Sequence, residues 1–203
     1  MKVLFLPGVG GDPMFWRPLA NSLPRAWDKV LFGWPGLGAQ PRSPAVNSFD
    51  DLLAMVERCI DRPVALVAQS MGGMLALRAA LRHRQLVTRL VLTATSGGID
   101  LAPFGAADWR NDYRREYPDA AEWVYQRGDS VEAELSTLDI PALLLWATRD
   151  PLSPAPVGRH LASLLPQARL IELDDDNHMF ARDRAAEIAS LIQAHLEVEE
   201  RPR

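Results

Sequence analysis

Six short apolar runs rich in β-forming residues recur along the chain, separated by longer stretches of helical character. They are KVLFL (2–6), KVLFGW (29–34), VALVA (64–68), RLVLTA (89–94), ALLLWA (142–147) and ARLIEL (168–173). Strand patterns that alternate with helical ones fold as βα units around a mostly parallel sheet. The runs are almost continuously hydrophobic, as in strands covered by helices on both faces. The expected class is therefore α/β, with six strands. With 48% of its 203 residues apolar, the chain is long enough for one substantial core, and a single domain over 1–203 is expected.

Between the strands, Ser48 and Asp51 read as a capping box that opens a helix over SFDDLLAMVERCI. After Ser70, the residues Met74, Leu77 and Leu81 fall at i, i+3 and i+7, which predicts the buried face of another helix. PAPVGRHLASLL and DRAAEIASLIQAHL read as two more, and EVEERPR as a frayed tail. One stretch breaks the rhythm. From about Gly97 to Leu138 there is no strand pattern, and the segment carries Trp109, Tyr113, Tyr117, Trp123 and Tyr125. Connections of this length are commonly lids or binding elements, so a short helical cap is expected. The alternative is a solvated helical hairpin with no contact to substrate.

The formal charge is -4 with both signs interspersed, and no basic stripe is present to neutralise phosphates. Nucleic acid is excluded as a partner on that ground. Cys59 is the one cysteine, so neither an internal disulfide nor a cysteine-based metal cluster can form, and a small buried thiol is expected. The opening MKVLFLPGVGG is too short for a signal peptide, and no segment approaches the ~18 apolar residues of a membrane span. A protein without a membrane span, in the cytoplasm, is the expectation.

The chemistry concentrates in VALVAQSMGGMLALRAAL (64–81), where a lone serine joins a strand pattern to a helical one. A serine there is either a helix N-cap or a nucleophile. Ala68-Gln69-Ser70-Met71-Gly72 fits the nucleophile elbow, a sharp strand-to-helix turn that lifts the hydroxyl out of the sheet. The turn crowds the positions two before and two after the serine, and Ala68 and Gly72 are small. A serine hydroxyl needs a base, and the base needs an orienting group. Of the four histidines, His83, His160 and His195 belong to helices or their ends, whereas His178 lies in the loop DDDNHMF after a strand. Loops past the carboxyl ends of parallel strands line the ligand crevice. The same test selects Asp150, just past LLLWATRD, over Asp100 and over Asp174, Asp175 and Asp176, whose clustering reads as a solvated turn.

The order Ser70, Asp150, His178, with PGVGGDPMFW at the start, GWPGLG, AQSMGG, WATRDPLSP and DNHMF, resembles the α/β-hydrolase superfamily from about Met1 to Leu196. Within it the chain is most similar to small serine esterases and acyl hydrolases with a short cap over about 97–138. The resemblance implies a catalytic triad of Ser70, Asp150 and His178, and an oxyanion hole from the backbone N–H groups of Val9 and Met71. It also implies cleavage of carboxylic esters or thioesters through an acyl-enzyme, with no metal or organic cofactor. Phe15, Trp16, Met179 and Phe180, together with the cap residues Trp109 and Trp123, are expected to line the substrate pocket by their nearness to these motifs. The chain departs from the family pattern in three ways: Pro7 stands where many members have histidine, Ala68 replaces the first elbow glycine, and fewer strands precede the oxyanion loop. A trimmed six-stranded sheet follows, with strand 29–34 exposed at one edge, a geometry that permits a homodimer. The partner expected is a small-molecule ester or thioester. A cofactor-free perhydrolase, a C–C bond hydrolase and a hydrolase-like ligand-binding protein remain open alternatives.

Overall fold

The computed structural model describes residues 1–126 and 130–198. Most of the stretch read as a frayed tail, 197–203, lies outside them. Strands β1 (Lys2–Leu6), β2 (Asp28–Leu31), β3 (Val64–Gln69), β4 (Val87–Thr93), β5 (Ala142–Ala147) and β6 (Ala168–Leu173) form one sheet in the order β2-β1-β3-β4-β5-β6. Every pairing is parallel. β1, β5 and β6 coincide with the apolar runs. β2 stops short of Trp34, because Gly33 lies against the Pro13 ring and Trp34 N–H turns inward to Gly11 O. β4 ends before Ala94, whose φ of 45° swings the chain out of the sheet.

Successive residues of each inner strand enter opposite cores, as the two-residue period of a strand requires. Leu4, Leu6, Leu66, Leu90, Leu92, Leu144 and Trp146 face one apolar cluster. Val3, Phe5, Val67, Val91, Leu143 and Leu145 face the other. The first core is closed by α2 (Phe49–Glu57), α3 (Met71–Arg82) and α6 (Ala155–Leu164), the second by α1 (Arg17–Ser22), α7 (Phe180–Asp183) and α8 (Ala185–Glu197). Each fully buried Leu, Ile or Phe contributes about 1.5–3 kcal/mol, so these two faces carry the stability. The edge strands β2 and β6 keep half-exposed residues.

Two helices differ from expectation in detail. Ser48 does cap α2, its Oγ accepting from Asp51 N–H, while Asp51 Oδ2 accepts from Ser48 Oγ and Asn47 N–H. Cys59, just beyond α2, is half-buried against the first core. On α3 the buried face is Gly72, Gly73, Leu75, Ala76, Leu77, Ala79 and Ala80, while Met74 and Leu81 sit half-buried at its flanks. Small residues let this helix lie close on the sheet: a Cβ at Gly73 would stand 2.3 Å from Thr95 Oγ1.

Between β4 and β5 the described residues contain no strand. They form 3₁₀ turns at Ala102–Phe104 and Glu122–Tyr125 and the short helices α4 (Arg110–Glu116) and α5 (Glu132–Leu135). Tyr113, Ala120, Ala121, Val124, Val131, Leu135 and Leu138 are buried in the first core, so this segment packs on the domain instead of standing off in solvent. Among the described residues, no helix is long and apolar enough to cross a membrane.

The strand order fixes where a site can form. From β1 the chain moves outward to β2 and then returns across β1 to β3, so the loops leaving β1 and β3 diverge and open a crevice at the carboxyl ends of these strands. The registers Leu6↔Ala68, Gln69↔Thr93 and Ala147↔Leu173 bring the strand ends level along one rim.

Candidate active site

Ser70 occupies the single residue between β3 and α3, at φ 52° and ψ -123°. This is a sparsely populated backbone region that costs on the order of 1–3 kcal/mol for a non-glycine residue, and it persists only where surrounding structure enforces it. The enforcement is visible. Ser70 N–H donates to Thr93 O at 3.0 Å, and Ser70 O accepts from Thr95 Oγ1 and from Gly73 N–H at 2.9 Å. A Cβ at Gly72 would stand 2.4 Å from Leu6 O and 2.6 Å from Pro7 O, so the first turn of α3 is pressed onto the end of β1. The Ser70 side chain makes no cap bond to the helix, which removes the N-cap reading.

Asp150 follows β5 and is 2% exposed. Its Oδ1 accepts from Leu152 N–H at 2.8 Å and Ser153 N–H at 3.2 Å, and its Oδ2 lies 2.7 Å from His178 Nδ1. Both oxygens are thus committed, which a buried carboxylate requires. His178 is joined to the residue before Ser70 by Gln69 Nε2, which donates to His178 O at 3.4 Å. Asp150 and His178 therefore meet as expected. The Ser70 hydroxyl makes no hydrogen bond among the described residues, to the imidazole or to any other group. Catalytic hydrogen bonds of this kind tighten in the Michaelis complex.

The histidine loop is held by charge. Asp175 Oδ1 accepts from Asp176 and Asn177 N–H, and Arg184 Nη1 donates to Asp175 Oδ2 at 2.9 Å. Asp174 pairs with Arg149. Asp174 and Asp176 are exposed, as a solvated turn would have them, whereas Asp175 braces the loop that carries His178. The Asn177 N–H, and after it the Arg184 guanidinium, hold the Asp175 carboxyl below the usual range. A lowered native value means the folded state binds fewer protons than the unfolded one, so this stabilisation is present above the ordinary carboxylate range and is lost as pH falls through the lowered value. In thermal unfolding followed across pH, Asp175→Asn is expected to lose less stability than wild type below about pH 4. Identical acid slopes would remove Asp175 from this role.

After β1, the loop Pro7–Gly11 lies against the elbow: a Cβ at Gly8 would stand 3.0 Å from Ser70 Cβ. Neither Val9 N–H nor Met71 N–H donates to another group among the described residues. Among the described residues, no three His, Cys, Asp or Glu side chains gather as a set of metal ligands.

A family model described as alpha/beta hydrolase fold matches residues 2–139, and a second, described as TAP-like protein, matches 106–203. The chain belongs to the α/β-hydrolase fold family. A pimeloyl-[acyl-carrier protein] methyl ester esterase of Neisseria meningitidis is 24% identical over 242 aligned positions, gaps included, in an alignment that covers 97% of this hydrolase and 93% of the relative. Among solved structures, an esterase from Exiguobacterium antarcticum superposes with TM-score 0.78 at 15% identity, covering 98% of this chain and 92% of its own. A meta-cleavage product hydrolase from Pseudomonas fluorescens does so with TM-score 0.76 at 18% identity, covering 97% and 90%. The six-stranded sheet is that of the fold.

The residues expected to line the hydrolase's pocket do not gather in one place. Phe15, Trp16 and Phe180 are at most 3% exposed and belong to the core on the α1 and α8 side, with Met179 packed against it. Trp16 Nε1 donates to Leu6 O, and Phe15 meets its ring edge-on. Nearness in sequence to the motifs does not tell which side of the sheet a ring enters. Trp123 lines a cleft of about 420 Å³ with Gly36, Arg42, Val46 and Asn47, none of which belongs to the Ser70 rim. Its Nε1 is buried without a partner among the described residues. Trp109 stacks with Tyr125 and packs edge-on against Tyr113. Tyr113, one of the cap aromatics noted in the sequence, reaches Val9 O with its hydroxyl.

Proposed function

We propose that this α/β hydrolase cleaves carboxylic esters or thioesters through an acyl-enzyme on Ser70. The observation that carries the reading is the buried Asp150–His178 pair on the same rim as a serine held at positive φ. Ser70 Oγ attacks the acyl carbon as His178 Nε2 takes its proton, and the Val9 and Met71 N–H groups receive the charge that develops on the carbonyl oxygen. His178 passes the proton to the departing alcohol or thiol. Water then attacks the acyl-Ser70 ester, giving its proton to His178, which returns it to Ser70 as the acid leaves. Asp150 keeps the Nδ1 proton in place and stabilises the imidazolium. The ester esterase name of the Neisseria relative supports the choice of carbonyl substrates.

A chain-length series of p-nitrophenyl esters and acyl thioesters, assayed on purified protein, tests the reading. The expected outcome is saturable hydrolysis of part of the series, with kcat/KM varying with acyl length. Absence of turnover across the whole series would count against it.

A further inference from the structure

Four backbone carbonyls around the oxyanion loop have fixed partners close by in the fold. Leu6 O accepts from Trp16 Nε1 and Pro7 O from Trp34 Nε1, both at 2.9 Å. Gly8 O accepts from Gly11 N–H at 3.1 Å, and Gly11 O from Trp34 N–H at 3.0 Å. Val9 O is held differently. It accepts from Tyr113 Oη at 2.9 Å, across 104 residues of chain, and that oxygen in turn accepts from Gly38 N–H at 2.7 Å. Tyr113 sits on α4, so of these partners it alone comes from the segment between β4 and β5.

The chain of bonds runs one way, from Gly38 N–H through the Tyr113 hydroxyl to the Val9 carbonyl, and uses the phenol's single proton. Burial pushes the Tyr113 phenol up to about 12, so it stays a donor throughout the working range. The turn that supplies Gly38 is wedged against the same loop: a Cβ at Gly38 would stand 1.9 Å from Gly10 O. Val9 is therefore clamped on both sides. A trans peptide directs its N–H opposite to the preceding C=O, and Gly8 O is tied to Gly11, so the Val9 N–H points away from the turn.

We propose that Tyr113 is a positioning residue: its hydroxyl fixes the Val9 backbone and so couples alignment of the oxyanion donor to the seating of the helical cap. This role rests on the serine-hydrolase reading above. A cap displaced by a poorly fitting substrate would release Val9 O and weaken the oxyanion hole, so that turnover, more than binding, discriminates between substrates.

Tyr113→Phe keeps the ring among Trp109, Tyr117 and Tyr125 and removes only the hydroxyl. A lost oxyanion donor costs roughly two to three powers of ten, so a misaligned one is expected to lower kcat by about tenfold or more, with KM within about threefold. Phosphonylation of Ser70 by a fluorophosphonate should slow by a similar factor and still reach wild-type stoichiometry. A variant with lowered Tm but unchanged kcat and labelling rate would overturn the role. Leu135→Ala, which loosens the cap at a fully buried residue away from the hydroxyl, should slow labelling as well, and an unchanged rate there would sever the link between cap seating and the oxyanion donor. Wild-type protein supplies a measurement that does not depend on the variant folding: phosphonylation should slow hydrogen exchange at the Gly38 amide, and unchanged exchange there contradicts the coupling. Failure of wild-type Ser70 to label at all would instead remove the serine-hydrolase reading, and this role with it.

Discussion

Ser70→Ala is expected to reduce kcat/KM on the best ester by about four to six powers of ten, leaving only what the oxyanion donors and binding supply. Among the described residues, the hydroxyls of Thr95, Ser96 and Ser153 near the elbow each make a hydrogen bond. Thr95 Oγ1 donates to Ser70 O and accepts from Gly97 N–H at 3.0 Å; Ser96 Oγ accepts from Gly98 N–H, and Ser153 Oγ donates to Thr95 O. The Ser70 hydroxyl is the one left uncommitted among these four. Stability should move little in the alanine variant, since alanine meets the same backbone cost at φ 52°. Ser70→Gly separates the two effects. It should lose activity to the same extent yet unfold at a higher temperature, because glycine relieves a cost on the order of 1–3 kcal/mol. Retained turnover in either variant would exclude Ser70 as nucleophile.

Asp150→Asn is the second large effect, a fall in kcat of about four powers of ten with the fold intact. The amide oxygen can still accept from Leu152 and Ser153 N–H, so the turn after β5 keeps its bonds. Its NH₂, however, faces His178 Nδ1, which must then act as acceptor, leaving the imidazole proton on Nε2. An imidazole in that tautomer has no lone pair for the serine proton. Asp150→Ala should be as inactive and less stable, because it strands two amide donors at a cost of about 1–3 kcal/mol each. Comparable Tm values for the two variants would contradict the structural half of this argument, and near-wild-type turnover in Asp150→Asn the catalytic half.

Strand number and parallel pairing were legible because buried strands leave apolar runs that local composition alone defines. The rim was legible for a related reason: in a parallel sheet, residues just past strand ends share one edge, which brings Asp150 to His178 across 28 residues. Side-chain facing was not legible. Whether Phe15 or Phe180 enters the cleft or the opposite core depends on how α1 and α7 dock, which sequence proximity does not encode. The face of α3 was misread toward Met74 and Leu81 because hydrophobic periodicity weights large residues, whereas close helix-to-sheet approach selects Gly72, Gly73, Ala76 and Ala80. The hydrogen bonds of Tyr113 left no sequence signal, since its partners are backbone groups of Val9 and Gly38, and any residue supplies those.

The account stands on one covalent bond. Purified protein mixed with an activated ester, quenched in acid during turnover and weighed intact, should gain the mass of one acyl group, and digestion should place it on the peptide carrying Ser70. Ser70→Ala should gain nothing. Steady hydrolysis by wild type with no acyl adduct, or with the adduct on another side chain, would contradict it.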